Sequence, residues 1–242
     1  GKTYLQSQYK EWGASGLAAV WAENNTRESI YNAFRRKETF ATTGSRIKVR
    51  FFAGYGLEDV LSQKNPVAFA YSQGVTMGSD IFESDGKAPS FLVWALRDSK
   101  RAPLDRVQVI KGWTELSGKT HEEVFDVACS DGNKPDPQTN RCPDNGADVN
   151  LKNCEISKNV GANELKTVWK DPKFDSSIKS FYYVRVLENP TCRWSTWDAL
   201  KSGNDPRPDI PSVIQERAWS SPIWYVPNIS GIRAANILPD DV

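Results

Sequence analysis

Thr39–Phe52, TFATTGSRIKVRFF, is where the chain changes its hydrophobic period. Upstream, apolar residues recur at helical spacing. From Ile47 onward Ile47, Val49 and Phe51 alternate with Lys48 and Arg50, the pattern of a half-buried strand. The join between the two regimes is Thr42, Thr43 and Gly44. One reading is structural: Gly44 takes a left-handed conformation and the threonines hydrogen-bond the end of the preceding helix. The other makes the join a rim, with Thr42, Thr43 and Arg46 reaching a substrate and Arg46 suited to an anionic group.

Working upstream, GLAAVWA (16–22) is small, apolar and strand-like. Asn25 followed by Glu28 has capping-box spacing and starts a helix, with Ile30, Ala33 and Phe34 as its apolar stripe. Arg35, Arg36 and Lys37 fall in the last turn, where cations suit the helix dipole. A helix this short is marginal alone in water. Gly16–Phe34 is therefore expected to pack on the rest of the protein and to leave a strand edge open unless a partner covers it.

Working downstream, strand patterns dominate: 90–96 apolar on both faces, then 106–113, 123–129, 181–188 and 221–227. Phe125, Val127 and Cys129 share one face of the third of these. The expected fold class is α+β, mostly β: an antiparallel β-sandwich-like domain with long loops. The longest loops are 130–160, rich in Asp, Asn, Pro and Gly, and 189–212, with a short helix around Thr196–Lys201. A polar loop as long as the first needs support. Calcium held by Asp131, Asp136, Asp144 and Asp148 would supply it, although their spacing is not that of an EF-hand. Disulfides are the favoured support. Cys129, Cys142, Cys154 and Cys192 are even in number with no CxxC pair, and pairing Cys129–Cys142 and Cys154–Cys192 closes the short loop first. Disulfides imply an exported protein.

Composition narrows function. The chain has 242 residues, 39% hydrophobic and 25% charged, as in an ordinary globular protein. Its net charge of +1 gives no electrostatic case for nucleic acid. No apolar run is long enough to span a membrane, and GKTYLQSQYKEW has no signal-peptide core, so the expectation is a chain that starts after any export signal or never had one. There are nine Trp but one His. His121 alone cannot build a metal centre of several imidazoles. It reads as a solvated turn residue within SGKTHEEV.

GLAAVWAENNTRESIYNAFRRKETFATTGSRIKVRFF, VTMGSDI, DRVQVIKGW, FYYVRVLENPTCRW and QERAWSSPIWYVP resemble the late part of DUF3604 family proteins. These look like exported relatives of the PHP (polymerase and histidinol phosphatase) metallohydrolases. The resemblance runs from about Gly13 to Pro227. It implies a (β/α) barrel whose His and Asp residues bind divalent metal ions, followed by a β-rich segment. Those metal motifs belong to the upstream part of the family, so no metal ligand and no cofactor is assigned to this chain. The resemblance divides it into a terminal strand–helix unit of the barrel (1–45), a β-rich domain (46–228) and a tail (229–242).

On that division Glu23, Asn24 and Asn25 emerge at the carboxyl end of a barrel strand, where sites collect. Glu23, Asn24 and Arg46 are then the catalytic candidates, with Glu23 placed to orient a metal-bound water or a ligating His. Asn25 and Glu23 also serve simply to cap and solvate the helix start. Thr42, Thr43, Trp194 and Trp197 are the substrate-binding candidates, and Trp219 and Trp224 flank SSPI. Such aromatics either stack on a sugar or pack the sandwich. Asp98, Asp105 and Glu188 fall at strand ends without an assignable partner. Three functions compete. The chain is the C-terminal portion of an exported ester or phosphoester hydrolase, inactive alone and partnered by an upstream barrel segment or a chain covering 16–34. Or it is a Trp-rich module binding carbohydrate or a protein. Or it is an assembly subunit, including a homo-oligomer, whose sheet edges pair with other chains.

Overall fold

The computed structural model describes residue 13 and residues 15–115 and 117–228. The proposed tail, residues 1–12 of the proposed barrel unit and residue 14 lie outside the described residues. In chain order the elements are β1 (Leu17–Val20), α1 (Arg27–Arg35), β2 (Thr39–Thr42), β3 (Lys48–Gly54), a 3-10 turn (Val60–Ser62), α2 (Pro66–Gln73), β4 (Val75–Thr76), β5 (Asp80–Phe82), β6 (Ser90–Leu96), β7 (Leu104–Thr114), β8 (Thr120–Cys129), β9 (Val149–Asn150), β10 (Glu155–Ile156), β11 (Glu164–Lys170), β12 (Ser180–Glu188), β13 (Thr191–Cys192), α3 (Trp194–Lys201), β14 (Val213–Ile214), β15 (Arg217–Ser220) and β16 (Ile223–Val226).

Strand β12 is the spine of the larger sheet. One flank pairs along its length with β7, and β7 pairs with β8. The other flank is divided: Arg185–Leu187 pair with β15, and Ser180–Tyr182 pair with β16. Beyond β15 come β2 and then β1, all antiparallel. Beyond β16 comes β5, the one parallel pairing among the described strands. The smaller sheet runs β11–β6–β3–β4 and is antiparallel throughout.

Alternation places one face of each sheet in a shared core. Val49, Phe51, Phe91 and Val93 of the smaller sheet meet Val107, Val109, Phe125, Tyr182, Val184 and Val186 of the larger. The protein is thus mostly β, built of antiparallel sheets. The smaller sheet is also apolar on its outer face. There Phe52 and Leu92 lie under α2 with Leu57, Val60 and Ala70, which explains why 90–96 reads as apolar on both sides. Helix α2 goes unseen in the sequence reading, although Asn65 caps it through Oδ1 and Pro66 begins it. Strand β11 also goes unseen, because Lys166 and Lys170 interrupt its apolar residues.

Several local expectations change. Helix α1 is capped by Thr26, whose side chain accepts from Ser29 N, and not by Asn25. Only Ala33 of the expected stripe is buried; Phe34 is 51% exposed. Thr39–Thr42 is a strand, so the threonines do not cap a helix end. Gly44, at φ 131, does take the left-handed conformation. His121 is in a strand and not in a turn: it pairs with Trp113, stacks on its ring at 5.0 Å, and sets Nε2 2.6 Å from Glu115 Oε1.

The 130–160 loop is held by the disulfide Cys129–Cys142, and Cys154–Cys192 ties it to the start of α3. The aspartates put forward for calcium are not gathered into one ligand set. Asp131 accepts from Gly161 N, Asp136 from Gln138 N and Thr139 N, and Asp144 from Gly146 N.

Candidate functional site

The TTGSR join gathers groups from across the sequence. Thr43 Oγ1 donates to Glu216 Oε2 and accepts from Arg217 N at 2.9 Å, while its own N–H reaches Arg217 O. Thr42 Oγ1 accepts from Gly44 N and closes the turn. Two residues on, Arg46 N donates to Asp98 Oδ2 at 2.9 Å. The loop is thereby fixed at one end to the start of β15 and at the other to the β6–β7 connection. Between these anchors Ser45 and Glu188 face inward, Ser45 1% and Glu188 0% exposed.

Both carboxylate oxygens of Glu188 and the Ser45 hydroxyl are buried without a hydrogen-bond partner among the described residues. A charged carboxylate is costly in such a place. Burial pushes the Glu188 pKa up to about 7; the Ser45 hydroxyl and the Arg101 charge oppose this, and Glu216 and Asp98 add to it. Asp98 goes the other way. Burial works against its charge, yet the N–H groups of Lys100 and Arg46 hold its pKa below the ordinary value. Glu188 therefore keeps its proton to a higher pH than an ordinary carboxyl, and both it and Ser45 are closed off from solvent. Nor are the neighbouring carboxylates free to share a ligand: Glu216 is bound by Thr43, and Asp98 by two backbone N–H groups. Sequence reasoning missed Ser45 and Glu216. No local pattern marks either, since their partners lie at distant positions in the chain.

The catalytic candidates do not converge. Register pairs Leu17 with Thr42 and Val20 with Thr39, so Glu23 and Asn24 leave one end of the β1–β2 pair while Thr43 and Arg46 leave the other. Glu23 and Asn24 are exposed at the start of α1. Trp194 opens α3 with the Arg193 guanidinium 5.0 Å from its ring centroid, and Trp197 is exposed beside Lys201. Trp224 stacks on Phe181 at 5.1 Å. Asp105 is buried and bound by Gln215, and its pKa is raised, chiefly by burial. Among the described residues, no group of three His, Cys, Asp or Glu side chains is arranged to hold a metal ion.

A second feature is the outer side of β1 and α1. Ile30, Tyr31 and Phe34 line an open hollow of about 740 Å³ with Arg27 and Glu28. Tyr31 is 60% exposed and Leu17 of β1 is 41% exposed. Strand β1 reads LAAV, without a charge, and among the described strands it pairs only with β2. The edge strand β11 carries Glu164, Lys166 and Lys170, the usual guard against further pairing.

The described residues thus form a mostly β protein with an exposed apolar flank beside β1. The family model described as Protein of unknown function (DUF3604) matches residues 1–227, and the chain belongs to that family. No curated protein and no solved structure matches it. Among the described residues, no helix is long and apolar enough to cross a membrane.

Proposed function

We propose that this chain is the supporting, C-terminal β-rich portion of an exported PHP-like metal-dependent hydrolase, and that its β1–α1 flank docks the upstream barrel implied by the resemblance. In the whole protein the reaction would be ester or phosphoester hydrolysis. The observation that carries this reading is the outward apolar face of α1 beside the unguarded edge of β1. An amphipathic helix buries its apolar stripe against something. Here the stripe of Ile30, Tyr31 and Phe34 points away from the sandwich while Ala33 faces it. Contiguous exposed apolar surface of this kind marks an interface.

The divalent metals of this reading do not fit the described residues. His121 is held between Trp113 and Glu115, Asp136 and Asp144 accept from backbone N–H groups, Asp171 accepts from Tyr182, and no three acidic, His or Cys side chains gather to hold a metal ion among the described residues. Their ligands would belong to the upstream part, and the bond-breaking step with them. The two disulfides support export.

Hydrogen exchange on the chain alone and on the protein with its upstream segment tests the reading. Residues 17–34 should gain at least ten-fold protection in the longer protein, and metal-dependent hydrolysis should accompany the longer protein alone. Unchanged exchange at 17–34 would overturn the docking. Self-association of the chain through the same residues would replace the barrel with a second copy.

A further inference from the structure

A second surface stands independently of that reading. On the outer face of the smaller sheet, register sets Arg50 beside Trp94 beside Lys166, and Lys48 beside Leu96 beside Glu164. The next row, Phe52, Leu92 and Val168, is covered by α2 and the 3-10 turn. The cover stops there. Past Val67 of α2 a groove of about 200 Å³ opens, lined by Trp21, Lys48, Arg50, Val67, Trp94 and Leu96.

Its aromatic walls are rigid. Trp21 Nε1 donates to Val49 O at 2.7 Å, and Trp94 Nε1 to Glu164 Oε1 at 2.7 Å. With both indole N–H groups occupied and Arg50 stacked on one face of Trp21, an incoming molecule meets mainly the Trp94 ring and the apolar lining. Cations frame them. The Arg50 guanidinium sits 3.6 Å from the Trp21 ring centroid and donates to the Tyr71 hydroxyl; Lys166 lies 4.9 Å from the Trp94 centroid. Glu164 is neutralised by Lys166 at 3.0 Å. Arg50 and Lys48 form no ion pair among the described residues. Lys48, and an Arg50 already stacked on Trp21 and bound to Tyr71, therefore border the groove beside Trp94.

We infer that this groove binds one ring of an acidic polysaccharide, a pyranose bearing a carboxylate or sulfate. Indole faces take the apolar face of a sugar, and Arg with Lys takes its anionic group. The volume lies below the roughly 300–1,000 Å³ of sites that enclose a whole small ligand. A shallow site of that size suits one unit of a chain lying across the surface. Sequence pattern does not single out Trp21 and Trp94, because β3–β6 register and the β1–α1 junction bring them together.

Affinity electrophoresis of the purified chain in gels containing polygalacturonate, dextran sulfate or neutral hydroxyethylcellulose tests the inference, with tryptophan fluorescence as the second readout. The acidic polymers should retard the protein, and the neutral one should retard it at least ten-fold less. Lys48→Glu, at an exposed position that leaves the fold intact, and Trp94→Ala should each weaken retardation at least five-fold. Circular dichroism identifies any variant that fails to fold, and Lys48→Glu then decides alone. Equal retardation by the neutral polymer would overturn the acidic class. Retardation that survives Trp94→Ala in a folded protein would reduce it to polyanion attraction, and no retardation at all would remove the site.

Discussion

The strand edges at β8 and β1 are finished in opposite ways. At β8 the long polar loop turns back on the sheet: Asp126 N donates to Asn140 O, Arg141 to Val124 O, and Cys142 N to Asp126 Oδ2, with Cys129–Cys142 locking the contact. At β1 the described chain offers a four-residue strand of small apolar residues and a helix with Tyr31 and Phe34 outward. A sheet edge presents unpaired N–H and C=O groups, and a protein that stays apart from others covers or charges them. The first edge is finished within the chain. The second carries no such cover among the described residues, and that difference is the observation behind the docking proposed there.

Four measurements probe that contrast, from the largest effect down. Phe125, buried on β8, should cost about 3–5 kcal/mol on replacement by alanine, read by denaturant melts. Replacing Cys129 and Cys142 with alanine opens a loop of sequence separation 13. It should cost about 3 kcal/mol and make the β8 edge prone to aggregation, seen by light scattering. Loss of stability without aggregation would show that the loop seals the edge unaided.

The third concerns the attachment of the β2–β1 arm, which hangs on β15 beside Glu188. A carboxyl whose folded pKa is raised holds its proton longer in the native state. Stability from Glu188 is therefore present below the ordinary carboxylate range and falls as pH rises toward about 7, then levels off. The loss should be on the order of 2 kcal/mol, and Glu188→Gln should flatten it. Melts at pH 5 and pH 8 on both proteins would expose an error, since equal slopes would mean that Glu188 is solvated. The smallest effect is at the open flank. Phe34→Ala should change stability by less than about 0.5 kcal/mol in the chain alone, because Phe34 is 51% exposed. A loss of several kcal/mol would mean that the flank is already covered.

Much of this fold is legible in the residues. Val49 and Phe51 of β3, Val107 and Val109 of β7, and Tyr182, Val184 and Val186 of β12 recur at every second position because one face of each strand meets the core. The disulfide pairing follows from the loop that Cys129 and Cys142 close. Periodicity locates the stripe of α1 but not its direction, since a stripe facing a partner has the same spacing as one facing the core. Helix α2 has apolar residues around much of its circumference and shows no clear period. The setting of Glu188 is harder still. Glu188 reads as a strand-end acid, and only the fold supplies Ser45, Asp98 and Glu216 as its surroundings.

The divided flank of β12 has a kinetic consequence. Its two halves hold two separate arms, β15–β2–β1 and β16–β5, each attached through a short run of pairs. The arms meet only where β15 passes into β16, through Ser221 N on Thr39 O and Gly78 N on Pro222 O, so the β1–β2 end lies farthest from β12 and opens ahead of β7, β8 and β12. Pulled from the amino-terminal side, the molecule should yield in stages: β1 and β2 peel first, and the paired centre follows at higher force.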